Sequence, residues 1–173
     1  MRVENRKIYS LVLRYLILIF LGIFLGIFYF IFTPLTVLPV YHLLNLFFSP
    51  SLSGPTIVFN GQAIQIGAAC VAGSAYYLLA ILNLSTPLKL KKRIYSLFFL
   101  FLTFLLINVL RIFSFSLLLV NSFSLFNTLH MITWYLLSGV IVFLIWVVNI
   151  KVFTIEKIPF YSDFKFLLGL SKK

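Results

Sequence analysis

A chain of 173 residues that is 62% hydrophobic and only 10% charged departs from soluble domains, in which about a quarter of residues are charged. The composition reads as an all-α integral membrane protein, with room for about four spans of ~20 residues and little left for a soluble domain. One cysteine excludes an internal disulfide, and a formal charge of +11 would suggest nucleic acid only in a soluble protein.

Apolar runs predict four transmembrane helices at about 15–33, 70–88, 94–119 and 131–150, in a single membrane domain. The first run follows MRVENRKIYSLVLR. It is longer than a signal-peptide core and no A-x-A cleavage site follows it, so it is expected to be retained. Residues 34–69 then form an uncharged stretch expected at the outer face. Within it PVYHLLNLFFSP (39–50) is polar only at His42, Asn45 and Ser49, which share one side of a short interfacial helix. TIVFNGQAIQI (56–66) places Asn60-Gly61 between two alternating apolar segments, the signature of a tight β-hairpin. LKLKKR (88–93) is a short basic loop, and residues 151–173 form a tail of mixed Lys and Phe, expected to lie on the inner surface.

With both termini in the cytoplasm, every Lys and Arg except Arg111 falls on the inner side, as do the three acids Glu4, Glu156 and Asp163. The positive charge is thereby explained by topology, and no nucleic-acid partner is implied.

Counting back from the cytoplasmic charges at ~1.5 Å per helical residue puts Cys70 roughly 28 Å, Arg111 roughly 27 Å and His130 roughly 31 Å from the inner boundary. The hydrocarbon core is about 30 Å thick, so three spans deliver these residues to one level, the outer edge. Each has an ordinary reading by itself. Cys70 is a small buriable hydrophobe, Arg111 snorkels to head groups, and His130 is a locally bonded helix-entry residue. His42 has no partner of this kind and reads as interfacial polarity. Together, Cys, Arg and His describe acyl transfer through a thioester. A thiolate attacks, a histidine moves the proton, and an arginine holds the oxyanion. Asn108, three residues before Arg111 on the same helix face, is placed to orient the guanidinium. No carboxylate lies on the outer face and no glycine-rich phosphate loop occurs, so neither a metal nor another cofactor is expected. Two other readings use the same residues: a non-enzymatic membrane subunit or lipid-binding scaffold, and a membrane acyltransferase that carries a fatty chain on Cys70.

The sequence AACVAGSAYY around Cys70, NVLRIF around Asn108 and Arg111, and LHMITWYLLSG around His130 follow one another in an order that resembles the exosortase/archaeosortase family. The resemblance covers roughly residues 55–150, and the chain looks like a stripped core similar to the compact, pacearchaeosortase-like archaeosortases. Two features depart from the family. Val71-Ala72-Gly73-Ser74 follows the cysteine where many members have Ser-Gly or Thr-Gly directly, and many members carry additional spans. The resemblance implies a membrane-embedded cysteine transpeptidase with Cys70 as nucleophile, His130 as general acid/base and Arg111 as the oxyanion or orienting residue. The implied partners are proteins whose C-terminal sorting signal joins a short motif, a transmembrane helix and a basic tail, with a membrane lipid or envelope component as acceptor.

Overall fold

The computed structural model describes residues 2–120, 125–133 and 138–155. They form seven helices and one small sheet: α1 (Arg2–Ile23), α2 (Gly26–Asn45), β1 (Ser51–Ser53), β2 (Thr56–Phe59), β3 (Gln62–Gln65), α3 (Ala68–Val71), α4 (Gly73–Leu84), α5 (Leu90–Val120), α6 (Phe126–Ile132) and α7 (Ser138–Val152). Two of these, α2 and α5, are long and apolar enough to cross a membrane. Large apolar side chains stand exposed along both, among them Phe30, Leu38, Phe98, Leu106 and Leu110, the pattern of helices whose surroundings are themselves apolar.

The expected span at 15–33 is not one helix. The chain is interrupted at Phe24–Leu25, where Ile27 and Phe28 donate to the carbonyls three residues back rather than four. Gly22 and Gly26 flank the interruption and weaken the helix there. The uninterrupted helix instead runs from 26 to 45 and absorbs most of the segment expected to form a separate interfacial helix at 39–50. Pro34 and Pro39 sit inside it. Each removes one backbone donor, and the helix continues past both. The expected span at 70–88 is shorter and broken: α3 ends at Val71 and α4 covers 73–84. The span at 94–119 extends to 90–120. The run at 131–150 is shared between α6 and α7, with residues 134–137 outside the described ones, as is the tail from 156 onward.

The hairpin forms where expected. Phe59 pairs with Gln62 across Asn60-Gly61, both with positive φ (48° and 74°), as a two-residue primed turn requires. A third strand, β1, joins the opposite edge of β2, which the sequence pattern did not announce. Ile57 and Phe59 point into the core, and the ring of Phe48, three residues past α2, lies 5.2 Å from the Phe59 ring. The sheet is thus fixed to one end of the helices. From it β3 feeds directly into α3.

Between α2, α4 and α5 the core is aromatic. Tyr76 stacks on Phe32 at 3.5 Å and meets Phe104 edge-on at 4.8 Å. At the end of the helices away from the sheet, Arg93 closes the C-terminus of α4. Its Nη1 donates to the carbonyls of Asn83 (3.1 Å) and Leu84 (3.0 Å), and its Nη2 to those of Thr86 (2.9 Å) and Leu88 (3.4 Å). Arg14 of α1 adds a contact to the Leu84 carbonyl at 3.3 Å. A cation here answers both the open carbonyls and the negative end of the helix dipole. Arg93→Met, which fills similar space without a donor, is expected to destabilise the protein by about 2–4 kcal/mol. The midpoint of thermal unfolding in detergent measures this, and an unchanged midpoint would assign Arg93 to topology alone.

Candidate functional site

Cys70 sits on α3, a single turn entered through Gly67 in extended conformation. The turn is closed by Cys70 N–H and Val71 N–H donating to the Gly67 carbonyl at 3.0 and 3.1 Å. Ala72 then adopts the left-handed conformation (φ 55°, ψ 47°), unfavourable for a residue with a Cβ by roughly 1 kcal/mol. The helix restarts at Gly73. A Cβ at Gly73 would lie 2.8 Å from the Tyr29 ring, so glycine is what allows α4 to begin against α2.

The break takes the Cys70 carbonyl out of the helical ladder, and α5 supplies its partners. Asn108, only 2% exposed, donates from Nδ2 to the Cys70 carbonyl at 2.9 Å and to that of Val71 at 3.5 Å. One turn further on, Arg111 Nη2 reaches the same Cys70 carbonyl at 3.4 Å. The expectation that Asn108 orients the guanidinium directly is therefore replaced. Asn108 holds the cysteine turn, and Arg111 shares its acceptor. The other guanidinium N–H groups of Arg111 have no partner among the described residues. Asn108→Leu leaves the Cys70 carbonyl with its one long bond. It is expected to lower stability by about 1–3 kcal/mol. It should also speed alkylation of the loosened Cys70 by a small maleimide. An alkylation rate equal to wild type would show that the amide does not fix the turn.

His130 lies on α6, exposed, with its ring edge-on to Phe115 of α5 at 5.5 Å. The half-buried Cys70 and Arg111 line one cavity of about 120 Å³ together with His130, Ala69, Phe115 and Thr133. Three separate elements, α3, α5 and α6, thus bring the three sequence-derived candidates to a single space. His42 is exposed near the end of α2, beside Tyr41, and does not line this cavity. Arg111 and Ala69 also border a second, larger cavity of about 520 Å³, whose walls include Tyr29, Ser74, Leu78 and Val142. Arg111 therefore lines both cavities.

Sequence reasoning missed Phe115 and Thr133. Phe115 is four residues after Arg111 on α5, a helical spacing that in hindsight places it on the same face. Among the described residues no group of three or more His, Cys, Asp or Glu side chains could hold a metal ion. Comparison with protein-family models, curated proteins and solved structures gives no match.

Proposed function

We propose that this chain is a multi-pass membrane cysteine transpeptidase of the exosortase/archaeosortase kind, cleaving C-terminal sorting signals of surface proteins at the outer face. The observation that carries the reading is the one cavity shared by Cys70, Arg111 and His130. Cys70 Sγ, its proton taken by His130, attacks the scissile carbonyl. Arg111 donates to the oxyanion of the tetrahedral intermediate, using N–H groups that the Cys70 carbonyl leaves free. Collapse breaks the C–N bond, His130 returns the proton to the leaving amine, and a thioester remains on Cys70. An amine or hydroxyl of the acceptor, deprotonated by His130, then attacks the thioester and restores the thiol.

The test is a trapped intermediate. Purified protein is incubated with co-encoded proteins that end in a short motif, an apolar span and a basic tail. A peptide adduct on Cys70, released by neutral hydroxylamine and identified by intact mass, is the expected result. A fatty-acyl mass on Cys70 would replace the reading with an acyltransferase. Normal processing by Cys70→Ala would leave a scaffold.

Topology has its own test. Both termini and residues 88–93 are expected on the cytoplasmic side, so tags at either end should survive protease added to intact cells. Digestion of both would invert the arrangement and move the cavity to the inner face.

A further inference from the structure

At the end of the helices away from Cys70, three buried polar side chains form a hydrogen-bond circuit with one gap. Asn83 (α4), Ser96 (α5) and Asn149 (α7) are all fully buried. Asn83 Nδ2 donates to Ser96 Oγ at 2.8 Å, and Ser96 Oγ donates onward to Asn149 Oδ1 at 2.9 Å. The direction of the chain is fixed at its start. Asn83 Nδ2 also reaches the Arg93 carbonyl at 3.5 Å, a group that can only accept. Ser96, already accepting from Asn83, gives its single proton to Asn149. Two groups are left over: the acceptor Asn83 Oδ1 and the donor Asn149 Nδ2, neither with a partner among the described residues.

These two open groups, of opposite polarity, belong to amides joined through one hydroxyl, Ser96 Oγ. Leaving either unmet in an apolar interior costs about 1–3 kcal/mol. The other buried hydroxyls at this end are occupied. Ser85 Oγ donates to the Ile81 carbonyl at 2.6 Å and Thr86 Oγ1 to the Leu82 carbonyl at 2.7 Å, each turned back onto its own helix.

We propose that Asn83, Ser96 and Asn149 form a binding site for one structural water molecule. It accepts from Asn149 Nδ2 and donates to Asn83 Oδ1, closing a four-membered ring in which every bond runs the same way. A water has the required donor and acceptor in one atom's space, and buried waters characteristically join otherwise unmet polar groups. A metal cation does not fit. The Arg93 guanidinium lies against the Asn83 and Leu84 carbonyls, Arg14 against the latter, and the Asn149 N–H would face the ion with the wrong polarity. The ring joins α4, α5 and α7 far from the cysteine turn and fixes their rotation about their axes.

The test uses the full chain in lipid bilayers, with Asn and Ile isotopically labelled for water-edited solid-state NMR. Asn149-Ile150 is the only Asn-Ile pair in the chain, so its signals are assigned without a mutation. The expected result is magnetisation transfer from water to the Asn149 side-chain amide at short mixing times, with none to the Ile150 backbone amide. The Asn149 signal should lose that transfer in Asn83→Leu. An Asn149 amide with no water contact in the unaltered protein would overturn the proposal, because the two amides then close on each other directly. Transfer undiminished in Asn83→Leu would also overturn it, since the water would not be held by the ring.

Discussion

Cys70→Ala is expected to abolish cleavage of a co-expressed sorting-signal protein while the variant still inserts and accumulates. Loss of the nucleophile from a site that acts as a unit lowers turnover on the order of ten-thousandfold or more. The substitution is clean for a structural reason. It is the backbone carbonyl of Cys70, not its sulfur, that receives Asn108 and Arg111. Alanine keeps that carbonyl, keeps the Gly67 turn and is a better helix former than cysteine. The side chain is only half-buried, so removing Sγ should change stability by about 1 kcal/mol or less. Cleavage is measured by the mobility shift of the substrate, and accumulation by quantitative blotting of the variant. Cleavage at the wild-type rate would remove the thioester mechanism altogether. Cys70→Ser, which preserves shape and a weaker nucleophile, is expected to fall between the two.

What the sequence disclosed depended on how local each cause was. The hairpin was legible because Asn60-Gly61 supplies positive φ at both central positions and little else fits there. The break at Ala72 was not. Alanine favours helix, and the left-handed conformation is imposed by tertiary contacts, namely Tyr29 against Gly73 and Asn108 on the Cys70 and Val71 carbonyls. The division near Leu25 was hidden for a similar reason. An unbroken apolar run carries no punctuation except two glycines, which also occur in intact spans. Arg93 was counted only as a topological charge, yet its four carbonyl contacts, to residues five to ten positions earlier, make it a cap for the preceding helix. Cys70, Arg111 and His130 could be singled out as chemical outliers in an apolar sequence. The cavity they line, and the hold of Asn108 on the cysteine turn, arise from packing between elements distant in sequence.

The arginine offers the sharper test of mechanism, because it separates geometry from charge. Arg111→Lys keeps a cation at the same helix position, and both side chains can extend toward a polar boundary. A residue that only anchored the helix end would therefore tolerate the change. The observed geometry asks for more. One Nη2–H group of Arg111 is directed at the Cys70 carbonyl at 3.4 Å, and the residue lines both cavities. A planar guanidinium can keep the backbone contact and still present fixed donors to an oxyanion. A lysine ammonium is a compact point charge on a flexible stem and cannot hold both directions at once. One preorganised oxyanion donor is typically worth ~3–4 kcal/mol, so Arg111→Lys is expected to lower the cleavage rate on the order of a hundredfold or more. Asn108 continues to hold the cysteine turn at 2.9 Å, so the unfolding midpoint should change little. Single-turnover cleavage and thermal unfolding of the same preparation give the two readings. A large rate loss at constant midpoint supports the fork. Near-normal cleavage would reduce Arg111 to a charge, and full activity in Arg111→Ala would take it out of the mechanism.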